Sequence, residues 1–417
     1  LVKTGLWNSN IYTFIQQKLT NKELKIEEKQ NKFLKNLPEN FSTNHFNEKH
    51  EIFDLENING LYDKNINYGY ITFFEKKNNF FYIITNNGYF LKLNDDFSLS
   101  KIIFLKDEIK YFYTDYAYGG IRGAKWIDQD VIAIYLTVKE ADLINLSLIS
   151  VKIESNNKIK LIDKLKISEL PNQDGTTSNL GGGIEFRNGF IYLTTGTGGK
   201  PNEYEINELA QEENSNLGKI LKIQLNEENK FVNMMQIAKG SRNSQGLQFV
   251  EDNLIAVEHG PQGGDEINLI ETNNNNLINL GWPNFSYGLP YHDDVSYAKN
   301  DLKNTAKKEL EKYYNDSINN YQSPVFYFTP SIAISHITTC PFLKTEFGQY
   351  KNCFIISSLK DKSFYIIKYS NDIKFKVESV ERIYVGSRIR KIYSELNTIF
   401  LCLDNLKIIK IKYDVFK

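Results

Sequence analysis

The chain has 417 residues, with 50 Lys and Arg against 51 Asp and Glu and a formal charge of -1. That balance argues against a nucleic-acid partner. Hydrophobic residues at 41% and aromatics at 13% supply area for a sizeable core, which excludes a disordered chain.

In chain order, residues 11–34 come first: rich in Lys, Glu and Gln, with Ile15, Leu19, Leu24 and Ile26 at helical intervals. The spacing predicts one or two exposed helices in an extension over residues 1–55, as a solvated face or a spacer from a membrane anchor. From about residue 60, short β-rich runs recur between Asn, Gly and Asp turns: 70–74, 80–85 and 89–93, the last two joined by a hairpin signal at Asn86, Asn87 and Gly88. Further runs follow at 131–137, 148–153, 190–194, 254–258, 354–358, 364–369, 399–403 and 408–413. Residues 298–314 interrupt them with a charged segment of helical period, expected as a surface insertion.

Many short strands with almost no helix predict an all-β fold: a sandwich, a barrel or a propeller. Residues 56–417 are too long for one sandwich and accommodate six four-stranded blades of roughly 60 residues each. The three cysteines are too few and scattered for a disulfide scaffold and lack zinc-site spacing. Cys340 and Cys353 flank an expected hairpin turn, either bonded in an oxidising compartment or as two buried thiols. No apolar run reaches the 18 residues of a membrane-spanning helix. The chain starts at Leu1 rather than Met, which leaves room for a signal peptide or anchor ahead of it.

The middle and end of the chain carry clusters that strand packing does not call for. They are NLGGGIEF (179–186), SNLGKILKI (215–223), GSRNSQGL (240–247), EHGPQGGDEINLI (258–270), GWPNFSY (281–287), PSIAIS (330–335), SSLK (357–360) and SRIR (387–390). Singly, most read blandly. The triple glycine suits a tight turn better than a phosphate cradle, because no helix follows it. Asp265 and Glu266 suit a capped loop or a cation site. Arg388 and Arg390 alternate on a strand and so point to one side, which calls for an anion between them or for water. Only six of the basic residues are Arg, so these forks are scarce.

Together and in this order, the clusters resemble the soluble pyrroloquinoline quinone (PQQ) dependent glucose/sorbosone dehydrogenases, a family that includes the aldose sugar dehydrogenases. The resemblance runs over roughly residues 58–415 and is strongest over 179–290. It implies a six-bladed β-propeller with the cofactor across one end of the central channel, and oxidation of a sugar or other alcohol by hydride transfer to the quinone. It also implies export to the periplasm and an electron acceptor that the sequence does not identify. Lys360, Arg388 and Arg390 match the residues that hold the cofactor carboxylates, as charge-assisted donors do. Arg242 and Asn243 match the pair beside the reactive quinone carbonyl, where fixed positive charge stabilises developing negative charge. Gly260 and Pro261 match the backbone oxygens that take the family's calcium, a hard cation.

The departures concern proton handling. Asn179 stands where the family's general-base His would be, and an amide does not accept that proton. Gly183 replaces an Arg, Tyr118 the glutamine at the cofactor's edge, Arg122 an apolar residue, Lys391 an Asp and His336 a Gly. His336 is either a relocated base or a hydrogen-bonded structural group; His259 reads as structural. Two functions follow, an oxidoreductase with a displaced base or a catalytically inactive propeller that binds a glycan, a protein or the cofactor alone. A calcium-dependent hydrolase would need clustered acidic and amide ligands, and no convincing spacing of them is found.

Overall fold

The run FFYIIT at 80–85 sends Phe81 and Ile83 into one buried cluster and Ile84 into another, as a strand with both faces covered does. In the computed structural model such runs build 25 strands in six sheets. The described residues are 50–55, 68–109, 112, 119–154, 158–171, 179–198, 204–261, 264–273, 276–287, 321–328, 330–341, 352–370, 375–404 and 406–412. The helices expected at 11–34 and 298–314, and Tyr118, lie outside them.

β1 (His50–Asp54) precedes the first complete blade, which is β2 (Ile71–Lys77), β3 (Phe80–Thr85), β4 (Tyr89–Leu93) and β5 (Leu99–Phe104). The second is β6 (Ile121–Trp126), β7 (Val131–Glu140), β8 (Leu143–Ile153) and β9 (Ile159–Glu169). The third is β10 (Gly181–Arg187), β11 (Phe190–Thr195), β12 (Lys219–Leu225) and β13 (Phe231–Lys239). The fourth starts with β14 (Ser244–Val250), β15 (Asn253–Glu258) and β16 (Asp265–Ile270). A short β17 (Ile278–Asn279) then adds to β13 in parallel before β18 (Phe326–Phe328) completes the fourth. The fifth is β19 (Ile334–Thr339), β20 (Cys353–Ser358), β21 (Ser363–Ser370) and β22 (Lys376–Tyr384). The sixth is β23 (Ile389–Glu395), β24 (Thr398–Leu403) and β25 (Lys407–Lys412), with β1 as its outer strand. Among the described residues, helix is confined to α1 (Leu105–Glu108) and α2 (Tyr204–Glu208).

The fold is therefore all-β, as the strand pattern predicts, and a six-bladed β-propeller, as the resemblance implies. The register His50↔Ile411 to Asp54↔Lys407 closes the ring, so residues 50–54 belong to it rather than to the segment ahead. The first strand of each blade packs against the first strands of its two neighbours, so β2, β6, β10, β14, β19 and β23 line the axis. An apolar cluster fills every seam between adjacent blades. At the closing seam Phe74, Phe81 and Phe97 stack and Phe400 meets them tilted or edge-on, with ring centroids 4.6–6.4 Å apart. Each such buried side chain contributes about 1.5–3 kcal/mol over an exposed one. Cys340 and Cys353 are disulfide-bonded across the β19–β20 hairpin, with Cα atoms 5.6 Å apart, and Cys402 is a buried free thiol.

Candidate functional site at the mouth of the axial channel

All six inner strands carry a β-bulge after their first residue. The ladder skips Thr72, Arg122, Gln245, Ser335 and Arg390, and slips between Gly181 and Ile184. A bulge re-aims the side chain of the unpaired residue. Arg122, Gln245 and Arg390 accordingly reach across blade boundaries at one rim of the channel. The NLGGG stretch is the tight turn its glycines suggest, with Asn179 at φ 56° and Gly181 at φ 74°. Gly183 has no room for a side chain, since a Cβ there would lie 2.8 Å from Thr194 Oγ1 and 2.9 Å from the Gly246 carbonyl carbon. The Arg of the family pattern has no place on this backbone.

Polar contacts run from blade to blade along the rim. The Arg390 guanidinium stacks 4.3 Å from the Tyr70 ring, and the Tyr70 hydroxyl accepts from Arg122 Nη1 at 2.8 Å. Arg122 Nη2 and Gln245 Nε2 both donate to the Gly181 carbonyl at 3.2 Å. Asn243 Oδ1 accepts from Gly181 N at 3.2 Å and from Gln245 Nε2 at 2.7 Å, and its Nδ2 lies 3.5 Å from His259 Nδ1. Arg242, only 5% exposed, donates through Nη1 to the His259 and Gly260 carbonyls at 3.2 Å and faces the Trp282 ring at 5.3 Å.

Carboxylates fix these groups from behind. Glu258 accepts from Ser241 Oγ at 2.6 Å and from the Arg242 backbone N–H at 3.2 Å; burial pushes its pKa up to about 7. Burial, and then Glu258, also raise the pKa of Glu266, opposite it on β16. Burial, with Arg242 and Arg390 near, keeps His259 neutral against the pull of Asp265. Asp265 is the loop clamp among the two readings of DE: it accepts from Gly260 N at 3.0 Å, Ser331 Oγ at 2.6 Å and Ile332 N at 2.9 Å. Ile332 in turn accepts the Lys360 backbone N–H at 3.0 Å, which sets the exposed Lys360 beside this loop. Arg388 and Arg390 grip opposite oxygens of Asp404 through Nε, at 2.6 and 2.7 Å. Burial opposes that carboxylate's charge, yet the two arginines outweigh it and hold its pKa low.

The structure thus brings Arg242, Asn243, Gly260, Lys360 and Arg390 into one run of contacts, with Arg388 joined through Asp404. Pro261 is buried next to Gly260. Asn179 borders the same turn, its carbonyl accepting from Gly198 N at 3.1 Å. His336 sits deeper, in the channel wall, with Nδ1 donating to the Ile392 carbonyl at 3.0 Å. Among the described residues its ring joins none of the rim contacts above. Tyr70, Gln245, Glu258 and Asp404 carry the rim without having been singled out from sequence. Gln245 and Glu258 stand inside the quoted clusters; Tyr70 and Asp404 carry no local signal.

The chain is a six-bladed propeller that gathers guanidinium groups and the carboxylates that hold them at one mouth of its channel. The model of the Glucose / Sorbosone dehydrogenase family matches residues 125–409, and the chain belongs to that family. Aldose sugar dehydrogenase YliI of Escherichia coli (strain K12) is 30% identical over 158 residues, covering 37% of this chain and 36% of the relative. Quinoprotein glucose dehydrogenase B of Acinetobacter calcoaceticus is 30% identical over 130 residues, covering 29% and 25%. The chain spans about a third and a quarter of the length of these curated relatives. A solved glucose dehydrogenase superposes with a TM-score of 0.65 at 18% identity, over 88% of this chain and 100% of that one, which shows the shared fold.

Proposed function

We propose that the chain binds PQQ across this rim and oxidises a hydroxyl of a sugar or other alcohol. The observation that carries the reading is the convergence of Arg242, Arg390, Arg388 and Lys360 on one mouth of the channel. The donor set fits a flat polyanion. Among the described residues Arg242 Nε is buried without a hydrogen-bond partner, and such an atom in a folded interior calls for a ligand or water. Arg388 and Arg390 spend Nε on Asp404, which aims two forks and leaves their terminal nitrogens for carboxylates. Bound there, PQQ would supply the two-electron acceptor, taking both electrons together as a hydride.

The chain's own part is positioning. Arg390, Arg388 and Lys360 would hold the carboxylates, and Arg242 with Asn243 the reactive edge. Glu258, through the Arg242 N–H and Ser241, fixes the backbone from which that guanidinium projects. Preorganised charge of this kind lowers the barrier because it costs no rearrangement when charge develops. Asn179 does not take the substrate proton, so turnover rests on a base elsewhere. That substitution favours the second reading, a catalytically inactive module that keeps the cofactor.

For calcium the same mouth offers the backbone oxygens of Gly260 and Pro261. The Gly260 oxygen already accepts a guanidinium N–H at 3.2 Å, and among the described residues no three acidic, His or Cys side chains group around a metal position. The donor set as it stands does not fit a dication, and no step is drawn through one. The Cys340–Cys353 disulfide supports an oxidising, exported setting.

Titrating PQQ against the purified chain, in calcium and in chelator, tests the reading. A saturable rise in Tm with a bound chromophore is expected, about 2.7 kcal/mol of stabilisation at a hundredfold excess over Kd. Neither signal in either buffer ends the proposal; both signals without reduction of an artificial acceptor by any aldose or alcohol favour the binding module. A rise confined to calcium would restore the cation.

A further inference from the structure

Behind the rim, the inner strands enclose a cavity of about 170 Å³ whose wall includes Thr72, Lys125, Glu185, His336, Lys391 and Ser394. That is more than ten times the roughly 10–15 Å³ one water requires. Lys391, 8% exposed, lines it, and its amine has no hydrogen-bond or ion-pair partner among the described residues.

The charges around this amine come from every neighbouring strand and do not neutralise it. Arg122 on β6 and Arg390 on its own strand act on it with the same sign. Cys402, its partner across the ladder on β24, is a thiol whose pKa burial drives far up. His336 on β19 is held neutral by burial and by Lys391 itself. The cavity's carboxylates, Glu75 on β2 and Glu185 on β10, both pair with Lys125, at 2.8 and 3.1 Å, rather than with Lys391, and burial raises the Glu185 pKa against the one negative charge this trio would carry in excess.

A buried cation with like charges beside it and no counter-ion is costly, and the cost is removed by an anion of matching size. We propose that this cavity is a site for one small monovalent anion, of halide or formate size, held by the Lys391 amine. The assignment is independent of PQQ: it stands on the cavity, the unpartnered amine and the prior commitment of both carboxylates to Lys125.

Thermal unfolding of the purified chain tests it, with sodium gluconate replaced stepwise by sodium bromide or sodium formate at fixed ionic strength. The expected result is a saturable rise in Tm that Lys391→Met abolishes and that the surface substitution Lys376→Met leaves intact. Crystals of the unsubstituted chain grown in bromide should show an anomalous peak beside Lys391 Nζ, a readout that does not depend on the variant folding. An equal response in Lys391→Met, a response without saturation, or an empty cavity in the bromide crystals overturns the proposal. So does loss of the bromide response on adding PQQ, which would give the amine to a carboxylate of the rim ligand instead.

Discussion

Replacing Lys391 by Met should make the protein more stable below pH 7, by an amount that shrinks as pH rises. Burial, then Arg122 and Arg390, lower this amine from 10.5 to about 7. Between those values the unfolded chain binds the proton and the folded chain does not, so the penalty is complete below pH 7 and gone above about 10.5. At 1.36 kcal/mol per unit the gap is worth about 5 kcal/mol. Met fills nearly the same volume without a charge, so the variant should exceed the parent by about 5 kcal/mol at pH 6 and match it near pH 10.5. Urea unfolding of both proteins in gluconate, at several pH values and with unchanged m, gives the difference curve. Adding bromide should lower that curve below pH 7 if the amine holds an anion. A difference independent of pH would show the amine to be as easily protonated folded as unfolded, and the reasoning from its surroundings would fail.

Lys125→Met leaves Glu185, 4% exposed, with no cation at 3.1 Å, and should cost roughly 3–5 kcal/mol in urea unfolding, with most of it recovered in Lys125→Met/Glu185→Gln. Full additivity of those two substitutions would deny the pair. Cys340→Ser opens a loop of sequence separation 13 and should cost about 3 kcal/mol, read as a lower Tm in the oxidised protein only. Arg242→Leu should weaken PQQ at least tenfold, about 1.4 kcal/mol, in the absorbance titration while leaving Tm without ligand within a few degrees. Asn179→His keeps a residue tolerated at φ 56° and should raise the rate of dye reduction with an aldose; an unchanged rate would place the missing base elsewhere.

Local information carried much of this. Short β-rich runs between Asn, Gly and Asp turns marked the strands, as in β3, while chain length only permitted six blades and the resemblance named them. Arg388 and Arg390 were expected on one side, with either an anion between them or water; they share an anion, the protein's own Asp404. Nothing near SRIR announces it, because its contact is made by the turn after the next strand. The closing strand was hidden for the same reason: Glu51 meets Lys410 from 359 residues away. Cys340 and Cys353 stayed undecided until the β19–β20 register set them opposite each other. The bulges were the deepest omission, because a two-against-one slip leaves the alternation on either side looking intact.

Those bulges also explain how guanidinium groups at the mouth and a different set of residues behind it come from adjacent positions. The slip sends Arg390 to the rim and the next residue, Lys391, into the cavity. After the bulges of the fifth and first blades the same step sends His336 and Phe73 into that cavity wall. On the second and fourth blades the corresponding residues are Gly123 and Gly246, where a Cβ would lie 2.5 Å from the Gly182 oxygen and 3.1 Å from the His336 Cα. Bulk on one half of the channel is thus met by glycine on the other, and the space left over is the cavity. Because neighbouring residues serve separate chambers, a charge can enter the channel at Lys391 without displacing the Arg390 fork that faces the mouth. Positions 179 and 391 therefore act separately, and Asn179→His should leave the anion response at Lys391 untouched.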